Sequence, residues 1–377
     1  MVEEKVMPRG LEDVIAGDSQ ICYIDGKRGR LVYRGYDIGE LVFKTYYEEI
    51  VYLLWFGTLP NRVQLSEWEK KLSTARDLPS SVLDAILRFP KEGSPMAALR
   101  TAVSLLGLHD PDAENNSLEA NLRKGIRLVS QFPAIITCLI RAREGKPFLA
   151  PRKDLSHSAN FLYMLSGKEP DETSVKALEA YLILLADHEF NASTFTARTT
   201  AATLSDLHSA IVAAIGALKG DLHGAANQRA MEMFLEIGSV ERAEGYVKER
   251  LAQKKKIMGF GHRVYRTEDP RAPYLRQMAI KMSEMKHEDK WLGIAEKVKE
   301  VAHREKGLYV NVDFYSAPLL YYLGIPVAFF TPLFAMSRIS GWIAHVLEQY
   351  ANNRLIRPLS NYTGPMDLAY IPIDQRK

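Results

Sequence analysis

Along most of the chain, apolar residues recur at three- and four-residue intervals, the spacing that lines one face of an α-helix. Trp291, Ile294, Ala295, Val298, Val301 and Ala302 repeat in this way with Lys297, Lys299 and Glu300 between them, which predicts an amphipathic surface helix. Further helices are predicted over 40–56, stopped by Gly57 and Pro60, and over 66–75, 80–89 and 96–106. Others are expected over 174–186, 205–218, 225–237 and 335–350, the first two apolar enough to be buried. Residues 118–143 read as one long helix or as two broken near Pro133. Strand patterns are few. One hairpin is predicted, with 21–24 and 30–33 flanking Asp25-Gly26, a dipeptide suited to a turn. The expected class is therefore mostly α with a small N-terminal β-hairpin.

Length and composition narrow this further. The 377 residues suffice for two domains, or for one large domain with an insertion, and 47% hydrophobic residues argue against disorder. The segment 241–305 is richer in Lys, Arg and Glu, marking either a second, smaller domain or a run of surface helices. A balance of 49 basic against 46 acidic residues gives no nucleic-acid signature, and the run Lys254–Lys256 is a weak one. Cys22 and Cys138 are far apart and form no CxxC, so two reduced thiols are expected rather than a zinc or redox motif. The first residues carry no apolar leader segment, and the most apolar stretches, 210–218 and 325–336, are shorter than a bilayer requires. A soluble cytoplasmic protein with no membrane association is the expectation.

Three of the nine histidines have unusual neighbours. His188 follows an apolar run and begins like the zinc motif HExxH, but Ala192 stands where the second ligand would be. His223 lies between Gly220 and Gly224 just before a predicted helix, whose positive end disfavours imidazolium. A neutral imidazole there can donate to an oxygen that gains charge. His262 lies in Gly259-Phe260-Gly261-His262-Arg263-Val264-Tyr265-Arg266, followed by Asp269-Pro270-Arg271, a glycine-rich loop suited to an anion beside an acid–base group. Val264 stands where the third glycine of a dinucleotide fingerprint would be. Asp313 sits in an aromatic, apolar stretch, either as a helix cap or as a carboxylate made basic by desolvation. No GxSxG or Walker A motif occurs. Histidines, one carboxylate and several arginines suit proton abstraction beside a carbonyl, with anionic substrates.

The stretch from Gly259 to Arg271 resembles the citrate synthase signature at every constrained position. Its companions stand in the family's order: Leu222-His223-Gly224-Ala225-Ala226-Asn227, Asn311-Val312-Asp313, Ser337-Arg338 and Arg357-Pro358. The segments 23–36 and 51–60 fit as well, and Ser94 stands where many relatives have His. The likeness covers nearly the whole chain and is closest to the short, dimeric type. It implies a two-domain helical fold, with 1–223 and 325–377 as the large domain and 224–324 as the small one. It implies condensation of acetyl-CoA with oxaloacetate and hydrolysis of citryl-CoA. In that scheme Asp313 is the base, His223 stabilises the enol, and His262 polarises the ketone and protonates the alkoxide. His188, Arg271, Arg338 and Arg357 bind oxaloacetate, with Arg357 supplied by the partner subunit of a homodimer. The loop Ile257, Met258, Gly259, Phe260 and Gly261 takes the adenine of coenzyme A, and Arg266, Arg304 and Lys306 take its phosphates. Coenzyme A is a co-substrate, no tightly bound cofactor or metal is called for, and no nucleic acid or membrane is a partner. The same residues serve 2-methylcitrate synthases, which use propionyl-CoA, and a catalytically silent binding protein on this fold is the third reading.

Overall fold

The structure, a computed structural model, describes residues 9–12 and 14–376. The leader-free reading of the N-terminus falls mostly on residues 1–8, outside the described residues. Strands β1 (Cys22–Asp25), β2 (Arg30–Tyr33) and β3 (Tyr36–Asp37) form one antiparallel sheet in that order. Cys22 pairs with Tyr33 and Asp25 with Arg30. The turn therefore spans 26–29, longer than the Asp-Gly turn expected. Asp25 closes it by accepting the backbone N–H groups of Lys27 and Arg28 at 3.0 and 2.9 Å.

The rest is helical: α1 (Ile38–Leu41), α2 (Tyr47–Phe56), α3 (Arg62–Thr74), α4 (Ser80–Leu87), α5 (Pro95–His109), α6 (Leu118–Arg143), α7 (His157–Ser166) and α8 (Glu172–Leu185). Then follow α9 (Ala192–Ala201), α10 (Leu207–Leu218), α11 (Ala226–Ile237), α12 (Val240–Ala252), α13 (Ala272–Lys286), α14 (Lys290–Lys306), α15 (Val312–Tyr322) and α16 (Phe330–Ala351). Starts are fixed by side-chain caps: Ser117, Asp171, Asn191 and Asp206 each accept a backbone N–H of the first turn. The helix expected over 40–56 is split, because Glu49 reaches back to the N–H of Tyr46 at 2.8 Å and starts α2 afresh. Residues 118–143 form one helix that passes through Pro133.

Helix α16 is the central post. It packs on α2, α5, α6, α8, α9, α10 and α11. Helices α11 to α15 pack largely on one another, with α13 and α15 also meeting α8. Two helical stretches run longer than the apolar runs 210–218 and 325–336 singled out from the sequence. Leu118–Arg143 and Val327–Ala351 are long and apolar enough for a bilayer, yet 83% and 89% of their most apolar windows are buried inside the fold. They are core helices. Both cysteines are free and buried.

Candidate active site

Four stretches of chain converge: the turn between α8 and α9, the turn before α11, the loop 257–271, and the start of α15, with α16 beneath. The loop is tied to the start of α15. Gly261 N–H donates to Tyr309 O at 3.1 Å, Asn311 N–H to Gly259 O at 2.9 Å, and the Asn311 amide to Gly261 O at 3.0 Å. Gly259 has φ +80°, and a Cβ there would lie 2.7 Å from the Phe314 ring, so only glycine fits this approach. The β1–β2 turn supports the loop from the other side, with Gly26 O accepting Arg266 N–H at 2.8 Å.

The histidines are held as neutral bases with defined tautomers. His262 Nδ1 receives the backbone N–H groups of Val264 and Tyr265 at 3.0 and 3.1 Å. A backbone N–H can only donate, so the ring proton sits on Nε2. His223 is turned the other way: its Nε2 lies 3.3 Å from Ser193 N–H and 2.8 Å from Ser193 Oγ, which leaves the proton on Nδ1. Burial, with Arg271 adding to it at His262 and Arg338 at His223, pushes both down to about 4. His188 Nε2 lies 3.3 Å from the Tyr265 hydroxyl, and its ring stands edge-on to His262 with centroids 5.2 Å apart. Burial, then the charges of Arg271 and Arg338, hold it well below its ordinary value.

Asp313 is not the helix cap. Asn311 caps α15, accepting Asp313 N–H at 3.0 Å. This leaves the Asp313 carboxyl free, with Oδ1 buried and unpartnered. Burial pushes it up to about 7 against the opposing pull of Arg271 and Arg338. Arg271 is gripped by Asp269 through Nε and one terminal nitrogen at 2.9 and 2.7 Å. Arg338 donates Nε–H to Leu185 O at 2.8 Å, is almost fully buried, and forms no ion pair among the described residues. Asp187 is the carboxylate that acts on it, without direct contact, and a buried cation left unpaired in this way is costly, which suits a place built for an anion.

The structure thus brings together His188, His223, His262, Arg271, Asp313 and Arg338. It does not bring Arg357 to them: that residue is exposed on the chain after α16, its guanidinium bonded, among the described residues, only to Pro358 O. The loop Ile257–Gly261 borders the site. Arg266 and Lys306 are exposed, and Arg304 is engaged by Glu244, Glu300 and Glu305. Among the described residues no group of three or more His, Cys, Asp or Glu side chains is arranged to hold a metal ion. Two residues of the site were missed by sequence reasoning. Asp269 orients Arg271 and also accepts Val312 N–H at 3.2 Å, joining the arginine to the helix that carries Asp313. Its position two residues before Arg271 was the available signal. Ser193, which sets the His223 tautomer and takes the Trp342 indole N–H at 3.1 Å, had none, since these contacts span 30 and 149 residues.

Residues 10–359 match the family model described as citrate synthase, C-terminal domain. Citrate synthase 2 of Bacillus subtilis (strain 168) is 48% identical over 98% of this chain and 99% of its own length. The crystal structure of citrate synthase from Thermotoga maritima MSB8 superposes with a TM-score of 0.89 at 44% identity, covering 99% of this chain and 100% of that one. The Thermoplasma acidophilum citrate synthase, solved as a ternary complex with carboxymethyl coenzyme A and oxaloacetate, superposes with a TM-score of 0.93 at 34% identity over 97% of this chain and 98% of that one.

Proposed function

The chain belongs to the citrate synthase family, and from that premise we propose that its cleft joins acetyl-CoA to oxaloacetate and hydrolyses the citryl-CoA formed, with Asp313, His223 and His262 as the catalytic residues. The observation that carries this assignment is the pairing of an unpartnered, basic carboxyl with two neutral histidines of opposite tautomer.

Asp313 takes a proton from the acetyl methyl group. A carboxylate with an ordinary pKa is a poor base for a C–H bond, and the dry surroundings that push Asp313 up to about 7 improve it. As the enol forms, charge gathers on the thioester oxygen, and His223 Nδ1–H donates to it. His262 Nε2–H polarises the oxaloacetate ketone and delivers a proton to the alkoxide after the C–C bond forms. Oxaloacetate is a dianion. Arg338 offers both terminal nitrogens, Arg271 offers the one Asp269 leaves free, and His188 adds a neutral donor.

Arg357 completes the site from a second copy of the chain. The support is that the stretch 357–376 is exposed throughout and carries Leu359, Tyr362, Leu368 and Tyr370 on its surface. Coenzyme A takes the edge of the loop Ile257–Gly261, with Arg266, Arg304 and Lys306 for its phosphates; Arg304 exchanges its glutamate partners to do so. The segment 224–324 acts as the small domain, consistent with α11 to α15 packing on one another, and closes over bound oxaloacetate.

The test is release of the CoA thiol by purified protein given oxaloacetate with acetyl-CoA or propionyl-CoA. Oxaloacetate-dependent release, faster with acetyl-CoA and lost in Asp313→Asn, is expected. Faster release with propionyl-CoA moves the substrate to the longer acyl group, since one methylene is worth only ~1–3 kcal/mol of discrimination. No release with either overturns the reading.

A further inference from the structure

His188 stands on a turn held in an uncommon way. Glu189 has φ +53°, in the left-handed region that residues other than glycine seldom occupy. Asp187 Oδ2 accepts Glu189 N–H at 3.2 Å, and the Asn191 amide donates to His188 O and Glu189 O, both at 3.2 Å. The Tyr33 hydroxyl accepts Asp187 N–H at 3.2 Å and bonds Asp187 O at 3.0 Å.

Behind the turn runs a line of polar groups, buried except for Glu348 at its outer end, that the chemistry above does not use. Asp187 is fully buried, and its Oδ2 lies 3.3 Å from His345 Nε2. His345 Nδ1 lies 3.2 Å from the Arg198 guanidinium, which can only donate. Nδ1 therefore accepts, Nε2 carries the proton, and that proton points at Asp187. Arg198 pairs with Glu348 Oε2 at 2.7 Å, and Glu348 Oε1 accepts Gln20 N–H at 2.9 Å. The Phe190 ring, next on the same turn, lies under the Arg198 guanidinium at 4.5 Å and edge-on to His345 at 5.6 Å. On α16, a Cβ at Gly341 would fall 2.3 Å from Asp187 Oδ1, so this glycine makes room for the carboxylate. Burying such groups costs free energy that apolar packing would not.

We propose that Asp187 and His345 are positioning residues: the line Glu348–Arg198–His345–Asp187 holds the left-handed turn so that His188 meets oxaloacetate. The proposal rests on the reading of His188 as an oxaloacetate ligand.

The test is a double-mutant cycle on the full-length enzyme, reading the KM for oxaloacetate, the KM for acetyl-CoA and kcat. His345→Leu removes the donor, His345→Gln restores one, and His188→Asn removes the ligand. The expected result is an oxaloacetate KM raised about tenfold in His345→Leu, with the acetyl-CoA KM within about twofold, and recovery in His345→Gln. His188→Asn combined with His345→Leu is then no worse than His188→Asn alone, which a merely structural loss would not give. Additive losses, equal effects on both substrates, or an unchanged oxaloacetate KM overturn the proposal. If His345→Leu does not fold, Arg198→Met, which frees Nδ1 from the outer side, is read by the same criteria. If His188→Asn leaves the oxaloacetate KM unchanged, the assignment of His188 fails and the positioning role fails with it. If His188→Asn raises it and His345→Leu does not, the positioning role alone is overturned.

Discussion

A carboxyl pushed up to about 7 by burial has consequences of definite sign. Asp313 must be ionised to accept a proton, so kcat/KM falls as pH drops through about 7. The histidines, held down to about 4, stay neutral through that range and add no second limb there. Asp313→Asn abolishes this limb and lowers kcat by roughly a thousandfold, the usual scale for a general base. A profile flat from about pH 5 to about pH 8 in the native enzyme would overturn the assignment. Stability gives an independent reading. The folded pKa lies above the ordinary value of 3.8, so native stability is lost as pH rises through about 7. Asp313→Asn, carrying no charge, is expected to be more stable than the native chain at pH 8 and equal to it at low acid pH, as thermal melts at the two pH values will show. The chemistry of these residues was legible because glycines and arginines surround the histidines in short runs. The residues that orient them were not: Asp187, Ser193 and His345 act through contacts that close only in the fold.

At the scale of elements, the hairpin has a job that its small size conceals. Its turn lies against the loop that supplies two N–H groups to His262, and a Cβ on Gly26 would lie 2.3 Å from Val264 O. Gly26→Ala must therefore push the 264–266 backbone away. The expected outcome is a stability loss of about 1–3 kcal/mol together with a raised oxaloacetate KM, measured by denaturant melts and steady-state kinetics. An unchanged KM would mean the loop holds its shape without the turn. Helix boundaries were readable where a cap and an apolar stripe coincide, as at Asp171 before α8 and Asp206 before α10. The five unpredicted helices, α7, α9, α12, α13 and α15, lack one signal or the other. Helix α15 is apolar nearly all round and so shows no stripe, and α9 is built largely of Thr, Ala and Ser, which favour a helix weakly outside a packed context. Tertiary burial forms both, and one of them carries Asp313.

At the scale of the whole molecule, the question is whether one chain holds a complete site. The six residues gathered in the cleft come from segments linked by direct hydrogen bonds or by α16, while Arg357 stands apart on an exposed arm rich in apolar side chains. If the arm serves a second copy, two inactive variants must rescue each other. Take Asp313→Asn and Arg357→Gln, each expected to lose most activity as a homodimer. In the hybrid, one cleft has both defects, and the other has its own Asp313 and the arm of the Asp313→Asn chain, so it is intact. Random reassortment makes hybrids about half of the dimers with one working cleft each, which restores roughly a quarter of native activity. If Arg357 served its own chain, both clefts of the hybrid would be defective and mixing would restore nothing. Unfolding and refolding the two variants together, then assaying thiol release against each variant refolded alone, separates the two outcomes. The measurement needs no structure of the dimer, because the arithmetic of the hybrid depends only on which chain the arginine serves.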